Sequence, residues 1–171
     1  MPMEPCWLHE SAAADSNRKI AIVGLGNPFH GDDAAGCAVA RDVFERLSLT
    51  QEADLLEPSA TGFRLSEHLI GYQRAVIIDT LIDPQAPIGT VKSVEILGGL
   101  GGPPVSLHTS GFHEGLALAR DAGLLVPSQI SMYGIVTRES SYFSESLSDE
   151  LVARIPEIVS SIMAAEARLG V

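Results

Sequence analysis

The sequence predicts a single α/β domain built on a mostly parallel, twisted sheet of about five strands with helices on both faces. Two short runs, residues 20–23 and 74–79, contain consecutive apolar residues without alternation, which is typical of strands buried on both sides. Between such runs lie longer segments in which apolar residues recur every three or four positions, the spacing of an amphipathic helix. The 171 residues suffice for one domain with a complete core, and the sequence contains no internal repeat that would indicate a second one.

Turn-forming residues bound each predicted strand. Pro58 ends the second strand, and the glycine- and proline-rich stretch 98–104 follows the fourth. That fourth strand alternates apolar and polar residues and is expected near an edge of the sheet, whereas residues 98–104 are expected to form a mobile loop. The predicted strands span residues 20–23, 53–57, 74–79, 90–97 and 130–137.

The predicted helices each show one apolar face. In the first helix, Ala40, Val43 and Leu47 recur at helical spacing, with charged residues between them. In the last helix, Pro156 should bend or locally break the chain because proline has no N–H to donate. The predicted helices span about residues 34–47, 63–70, 112–122 and 148–169.

Composition restricts the partners and the compartment. Residues 1–17 are polar-leaning, so we expect a flexible extension before a domain of residues 18–171. The net charge of −11 argues against a nucleic-acid partner, which would require a basic surface. Cys6 and Cys37 form no CxxC pair and are expected to be reduced thiols in a cytoplasmic protein. We expect no secretory signal and no membrane partner, since no apolar run approaches the roughly 20 residues of a membrane span.

The segment 20–36 combines the first strand, a glycine-rich loop and two adjacent acids. Gly24 and Gly26 allow the chain to leave the strand sharply. Asp32 and Asp33 then fall where the first helix begins, where a carboxylate can accept bonds from free N–H groups. We expect Asp32 to be this cap and Asp33 to point inward. The acids thus lie at the carboxyl edge of the sheet, where open α/β folds place their sites.

A third acid and one histidine complete a candidate metal site. Asp79 ends the third predicted strand at the same edge of the sheet, and His108 follows the loop at 98–104. Two carboxylates and one imidazole suit a divalent metal and leave positions open for substrate or water. We therefore predict that Asp33, Asp79 and His108 converge. The competing interpretation is that the acids only cap a helix and end a strand.

Other chemistries find less support. His113 is a candidate for a rival or additional ligand, but it forms no HExxH motif. We expect His113, like His30 and His68, to lie on the surface. The chain has no GxSxG elbow and no cysteine in a nucleophile context, so water is the expected nucleophile of any hydrolytic reaction. The first loop matches a dinucleotide-binding GxGxxG only loosely, because Phe29 stands where the third glycine belongs.

Four motifs resemble those of the nickel-iron hydrogenase maturation endopeptidases. They are GLGNPFHGDDAAG in the first loop, VIIDTLID around Asp79, SLHTSG around His108 and YGIVTRES at residues 133–140. The resemblance implies cleavage of a C-terminal extension from the large-subunit precursor of a hydrogenase after nickel insertion. It also implies that Asp33, Asp79 and His108 bind nickel that belongs to the precursor. One departure is the turn at 57–62, which lacks the aspartate and glycine pair of many relatives.

The resemblance leaves the role of the metal open. Asp33 or Asp79 assists the attack of water on the scissile carbonyl, as in an aspartic-type endopeptidase, or the nickel serves only as a checkpoint for recognition. A non-catalytic module or nickel chaperone that binds a metallated partner would use the same three residues. The GLGNP opening also resembles the peptidyl-tRNA hydrolases. Those continue with a TRHN-like segment where this chain has GDDAAG, and so acidic a chain would repel tRNA.

Overall fold

The structure, a computed structural model, describes residues 19–60, 62–96, 111–138 and 143–170. The predicted extension 1–17 and the predicted loop 98–104 lie outside the described residues. The strands are β1 (Ile20–Gly24), β2 (Ala53–Leu56), β3 (Arg74–Ile82), β4 (Val91–Ile96) and β5 (Gln129–Thr137). They form one sheet in the order β2-β1-β3-β5-β4, in which β4 runs antiparallel to β5 and all other neighbours are parallel.

Helices cover both faces of the sheet and divide the core into two layers. One layer lies under α1 (Ala35–Leu47) and α4 (Asp149–Arg168), and the other under α2 (Phe63–Glu67) and α3 (Phe112–Asp121). The alternation of side chains along β1 serves both layers, since Ile20 and Ile22 belong to the first and Ala21 and Val23 to the second. The predicted fold class, a mostly parallel five-stranded sheet between helices, is confirmed.

The third strand is longer than the sequence predicts, and this positions the candidate site. Residues 79–82 continue the parallel pairing with residues 134–137 of β5, so the polar pair Asp79 and Thr80 does not end the strand. In contrast, β1 stops at Gly24, which lies opposite Ile78. β3 therefore projects past β1 at the carboxyl edge, and Asp79 is the first residue of β3 beyond the end of β1.

Two helices also differ from the prediction. α2 ends at Glu67 because the following N–H groups bond to carbonyls three residues back, as from His68 to Leu65 at 3.2 Å. α4 is continuous through Pro156, which does not break it. Pro156 is exposed, and the carbonyl deprived of its N–H belongs to Val152, a residue 50% exposed, so solvent can reach this turn. Among the helices described, none is both long and apolar enough to cross a membrane.

Candidate active site

A tight loop after β1 carries two acids to the carboxyl edge of the sheet. Gly26 has φ of 140°, and a Cβ on it would lie 1.9 Å from the carbonyl oxygen of Asp33, so only glycine fits. The side chain of Asn27 accepts a hydrogen bond from the N–H of Phe29 at 3.0 Å and stabilises the turn. The loop ends in a 3₁₀ turn (Gly31–Ala34) directly before α1. The backbone of the loop is thus folded tightly against the turn that carries Asp32 and Asp33.

The start of α1 packs directly on the strand ends. A Cβ on Gly36 would lie 2.1 Å from the carbonyl oxygen of Leu25 and 2.8 Å from that of Ile78. Only a residue without a side chain permits this approach of helix and sheet backbones. The turn before α1 is therefore held over the ends of β1 and β3.

Asp33 points toward β3, in agreement with the expected inward orientation. Its Oδ1 accepts a hydrogen bond from the hydroxyl of Thr80 at 2.9 Å, and its Oδ2 accepts one from the N–H of Asn27 at 2.8 Å. The N–H of Thr80 donates to Oδ1 of Asp79 at 2.8 Å. Asp79 is 2% exposed. The structure thus brings two of the three predicted site residues to one edge, and Thr80 contacts both.

The predicted third member, His108, lies outside the described residues. Within the described ranges, no group of three histidine, cysteine, aspartate or glutamate side chains is arranged to hold a metal ion. The convergence of Asp33, Asp79 and His108 on one ion therefore stays a prediction. Its two acidic members contact the same residue, Thr80, for which no sequence motif predicts a role.

Asp32 does not cap the helix that follows it, contrary to the prediction. Its Oδ1 accepts a hydrogen bond from the N–H of Ser148 at 2.6 Å, and its Oδ2 accepts one from the Ser148 hydroxyl at 2.9 Å. Ser148 is the N-cap of α4, and its hydroxyl oxygen accepts in turn from the N–H of Leu151. Asp32 therefore anchors the loop to the start of α4, a contact 116 residues away in sequence. No local sequence motif predicts such a partner.

An open cleft of about 360 Å³ lies beside Asp33. The walls formed by the described residues are largely apolar, and Asp33 is the single ionisable residue among these. Such a cleft, apolar with one charged group, is the usual form of a site that binds an organic ligand or peptide side chain. The lining residues are Leu25, Gly26, Asn27, Pro28, Phe29, Asp33, Pro58, Ser59 and Ala60.

Phe29, which lines this cleft, stacks on a second aromatic ring. Phe29 and Phe143 stack with ring centroids 5.6 Å apart and an interplanar angle of 14°. They remain 49% and 70% exposed, which is unusual for large apolar side chains. The backbone beneath them is paired as well, since the N–H of Ser144 donates to the carbonyl of Phe29 at 3.0 Å. The rings form a fixed, solvent-facing apolar surface next to the cleft.

The opposite wall, formed by the turn after β2, is held by an ion pair. Nε of Arg41 lies 2.8 Å from one carboxylate oxygen of Glu57, and Nη2 donates to the other oxygen at 2.9 Å. This bidentate geometry is the strongest form of an arginine–carboxylate contact. It fixes α1 to the turn that supplies Pro58, Ser59 and Ala60 to the cleft.

Cys37 lies on α1 beneath the loop and is not activated. Its thiol is partly buried and donates to the carbonyl oxygen of Gly24 at 3.5 Å. Burial, which is the largest cause, and the carboxylates of Glu57, Asp33 and Asp79 together raise the pKa of this thiol to about 11. The thiol is therefore protonated at neutral pH and is no nucleophile, in agreement with the expectation that no cysteine of this chain acts as one.

The remaining histidines in the described part of the chain stay at or near the surface. His30 and His68 are exposed, as predicted. His113 is partly buried, and its ring meets the edge of Phe112 with centroids 5.7 Å apart. Within the described residues, His113 joins no acidic pair that could hold a metal.

The solved structures similar to this chain include hydrogenase maturation proteases. The NiFe hydrogenase maturation protease HybD of Thermococcus kodakarensis is 30% identical, covers 86% of this chain and 98% of its own, and superposes with a TM-score of 0.62. The hydrogenase maturating endopeptidase HybD of Escherichia coli is 20% identical, covers 90% and 94%, and gives a TM-score of 0.63. No protein-family model matches the chain.

A curated relative supports the same class. The hydrogenase expression/formation protein HupD of Thiocapsa roseopersicina is 28% identical over 159 residues, which is 91% of this chain and 71% of the relative. The fold, the acidic loop and these similarities define a peptidase. The chain belongs to the hydrogenase maturation endopeptidases, the family that its sequence motifs resemble.

Proposed function

We propose that this protein removes the C-terminal extension from the large-subunit precursor of a nickel-iron hydrogenase, and that it recognises nickel already inserted in that precursor. The nickel belongs to the substrate. Asp33, Asp79 and His108 would meet it at the carboxyl edge of the sheet. The observation that carries the proposal is the pair of acids at one edge of the sheet, both contacted by Thr80, with an open cleft beside Asp33.

The contacts of Asp33 support a role toward a cation or a reacting water. In the described part of the chain its hydrogen-bond donors are a hydroxyl and a backbone N–H, both of them neutral. Such donors orient an ionised carboxylate without cancelling its charge, and each oxygen keeps a lone pair for a further contact. The carboxylate can therefore attract a metal ion or accept a proton from attacking water.

The cleft supports a peptide substrate. Asp33 is part of its wall, so a side chain seated between Phe29 and Pro58 would bring the adjoining peptide bond toward the carboxylate. Apolar walls favour an apolar side chain in this position, and water released from both surfaces would stabilise the complex. We propose that the precursor segment near the scissile bond binds here, in the cytoplasm.

Intact-mass spectrometry of the precursor tests the proposal. Purified protein is incubated with nickel-loaded and with nickel-free precursor. We expect the nickel-loaded precursor to lose the mass of a C-terminal peptide and the nickel-free one to stay intact. Cleavage of both at equal rates would refute recognition of nickel, and cleavage of neither would refute the proposed activity.

A variant of His108, the third predicted ligand, tests the predicted site. His108→Ala should abolish cleavage while leaving the thermal unfolding midpoint unchanged, and His68→Ala, an exposed histidine on the turn after α2, is the matched control. Full activity of His108→Ala would remove this residue from the mechanism. A stable complex with nickel-loaded precursor and no shortening by the unaltered protein would instead support a non-catalytic module or nickel chaperone.

A further inference from the structure

We propose that Thr80 is a positioning residue that sets the orientation of the Asp33 carboxylate. The hydroxyl of Thr80 donates to Oδ1 of Asp33 at 2.9 Å, while its backbone N–H donates to Oδ1 of Asp79 at 2.8 Å. One residue thus contacts both predicted catalytic acids. The inference rests on the proposed function only where it concerns rates, because the contact itself is a property of the fold.

The register of β3 explains why Thr80 reaches Asp33. Side chains alternate along a strand, and Val76 and Ile78 lie in the core layer under α1 and α4. Thr80 continues this series two residues further, beyond the end of β1. Since Asp33 lies in the turn that leads into α1, Thr80 is the residue of β3 whose side chain faces that turn.

A side-chain mutation can remove one of the two hydrogen bonds to Asp33 but not the other. Its Oδ2 is held by the backbone N–H of Asn27, which every residue except proline supplies. Its Oδ1 is held by a side-chain hydroxyl, which only serine could replace with the same chemistry in similar space. A hydrogen bond to an ionised carboxylate is among the stronger ones in proteins, so its removal should free the carboxylate to rotate.

Thr80→Val removes the hydroxyl and keeps the branched shape. Val also suits a strand, so the fold should tolerate the change. We expect kcat for nickel-loaded precursor to fall about 10- to 100-fold, the usual effect of a misplaced reacting group, with KM changed much less. Thr80→Ser, which restores the hydroxyl, should recover kcat to within about threefold of the unaltered protein.

Thr50→Val is the matched control. The Thr50 hydroxyl also donates one hydrogen bond, to the carbonyl of Leu47 at 3.4 Å, but it lies between α1 and β2 at the other edge of the sheet. This variant should cleave at the unaltered rate. A Thr80→Val protein with unchanged kcat would overturn the proposal. So would a Thr80→Ser protein as slow as Thr80→Val.

A second readout does not depend on cleavage and separates this inference from the proposed function. The crystal structure of Thr80→Val should show the Asp33 carboxylate rotated away from β3, with the backbone of residues 27–34 unchanged. A carboxylate that keeps its orientation without the hydroxyl would overturn the role of Thr80, even if the protein cleaves. If the unaltered protein does not cleave, the proposed function fails, and this structural comparison still decides whether Thr80 orients Asp33.

Discussion

Two acids at opposite edges of the sheet have opposite surroundings. At the amino edge, Glu166 of α4 is 0% exposed and accepts hydrogen bonds from the hydroxyl of Tyr133 at 2.6 Å and from the guanidinium of Arg74 at 2.8 Å. Burial and the neighbouring Glu166 raise the pKa of Tyr133, so that phenol remains a donor throughout the physiological range. At the carboxyl edge, the donors that the structure records for Asp33 are neutral, and an open cleft lies beside it.

The difference separates an acid that stabilises the fold from one available for chemistry. The charge of Glu166 is balanced inside the protein by Arg74, whose side chain is 14% exposed. Asp33 is oriented but not neutralised by its recorded contacts, and it faces solvent through the cleft. A carboxylate held in this way can attract a cation carried by a substrate, whereas Glu166, fully buried, is closed to a partner from solvent.

Removal of the Asp33 charge should have the largest effect. Asp33→Asn keeps the shape, but its single carbonyl oxygen can accept the bond from Thr80 or that from Asn27 and not both, and it cannot accept a proton or attract nickel as a carboxylate does. We expect cleavage of nickel-loaded precursor to slow by about 10³-fold or more, measured in single-turnover assays, with a small loss of stability from the missing hydrogen bond. Asp32→Asn, which alters the neighbouring acid that contacts Ser148, is the control and should lose much less. Equal losses in both variants would show that the Asp33 charge has no particular role in cleavage.

Removal of the Glu166 charge should lower the stability of the protein and leave its cleavage rate unchanged. Glu166→Gln leaves Arg74 without its buried counter-ion, and we expect the free energy of unfolding in urea to fall by about 3 kcal/mol. The rate of cleavage per folded molecule should not change. Glu157→Gln, on the same helix but in a pair that is 71% exposed on the glutamate side, should change stability little. A large loss of catalytic rate in Glu166→Gln would show that the two edges are coupled.

A third comparison is between two exposed apolar residues, one that lines the cleft beside Asp33 and one that lies away from it. Phe29→Ala removes one ring of the stacked pair and part of the cleft wall, so KM should rise about three- to tenfold with kcat nearly unchanged. Leu49→Ala, which alters a residue 84% exposed just after α1, is the control and should leave KM unchanged. An unchanged KM in Phe29→Ala would place peptide binding elsewhere.

The sequence predicted the elements that depend on local patterns. Apolar runs located the strands, the spacing of Ala40, Val43 and Leu47 located α1, and the acids Asp33 and Asp79 were correctly expected at one edge of the sheet. These predictions succeed because the patterns of strands and helices depend on neighbouring residues. Runs of consecutive apolar residues also indicate strands buried on both faces, which is typical of a parallel sheet. The convergence of His108 with the two acids stays a prediction.

What the sequence did not predict depends on contacts between distant residues. Asp32 was expected to cap its own helix, yet its partner Ser148 is 116 residues away. β3 was expected to end at Asp79, yet pairing with β5 extends it to Ile82 and so gives Thr80 a fixed position. Arg74 and Glu166, 92 residues apart, likewise gave no local signal. A polar residue reveals little about its partner when that partner comes from another element of the fold.

The smallest expected effect uses Cys37 as a probe of the charge at the carboxyl edge. Its pKa is raised to about 11 chiefly by burial, and Asp33 contributes to that increase. Asp33→Asn should therefore lower the pKa of the thiol, and alkylation by iodoacetamide at pH 8 should become about two- to threefold faster because the thiolate fraction rises. The measurement is made in a Cys6→Ser background, in which Cys37 is the single remaining thiol.

The comparison of the two edges supplies the control for this last measurement. Glu166→Gln removes a charge at the opposite edge, so the alkylation rate of Cys37 should not change. A rate that rises equally in both variants would indicate local opening of the fold rather than an electrostatic effect. A rate that stays constant in Asp33→Asn would mean that the Asp33 charge is already compensated within the protein. In that case Asp33 would resemble Glu166, and the carboxyl edge would have no free negative charge with which to attract nickel.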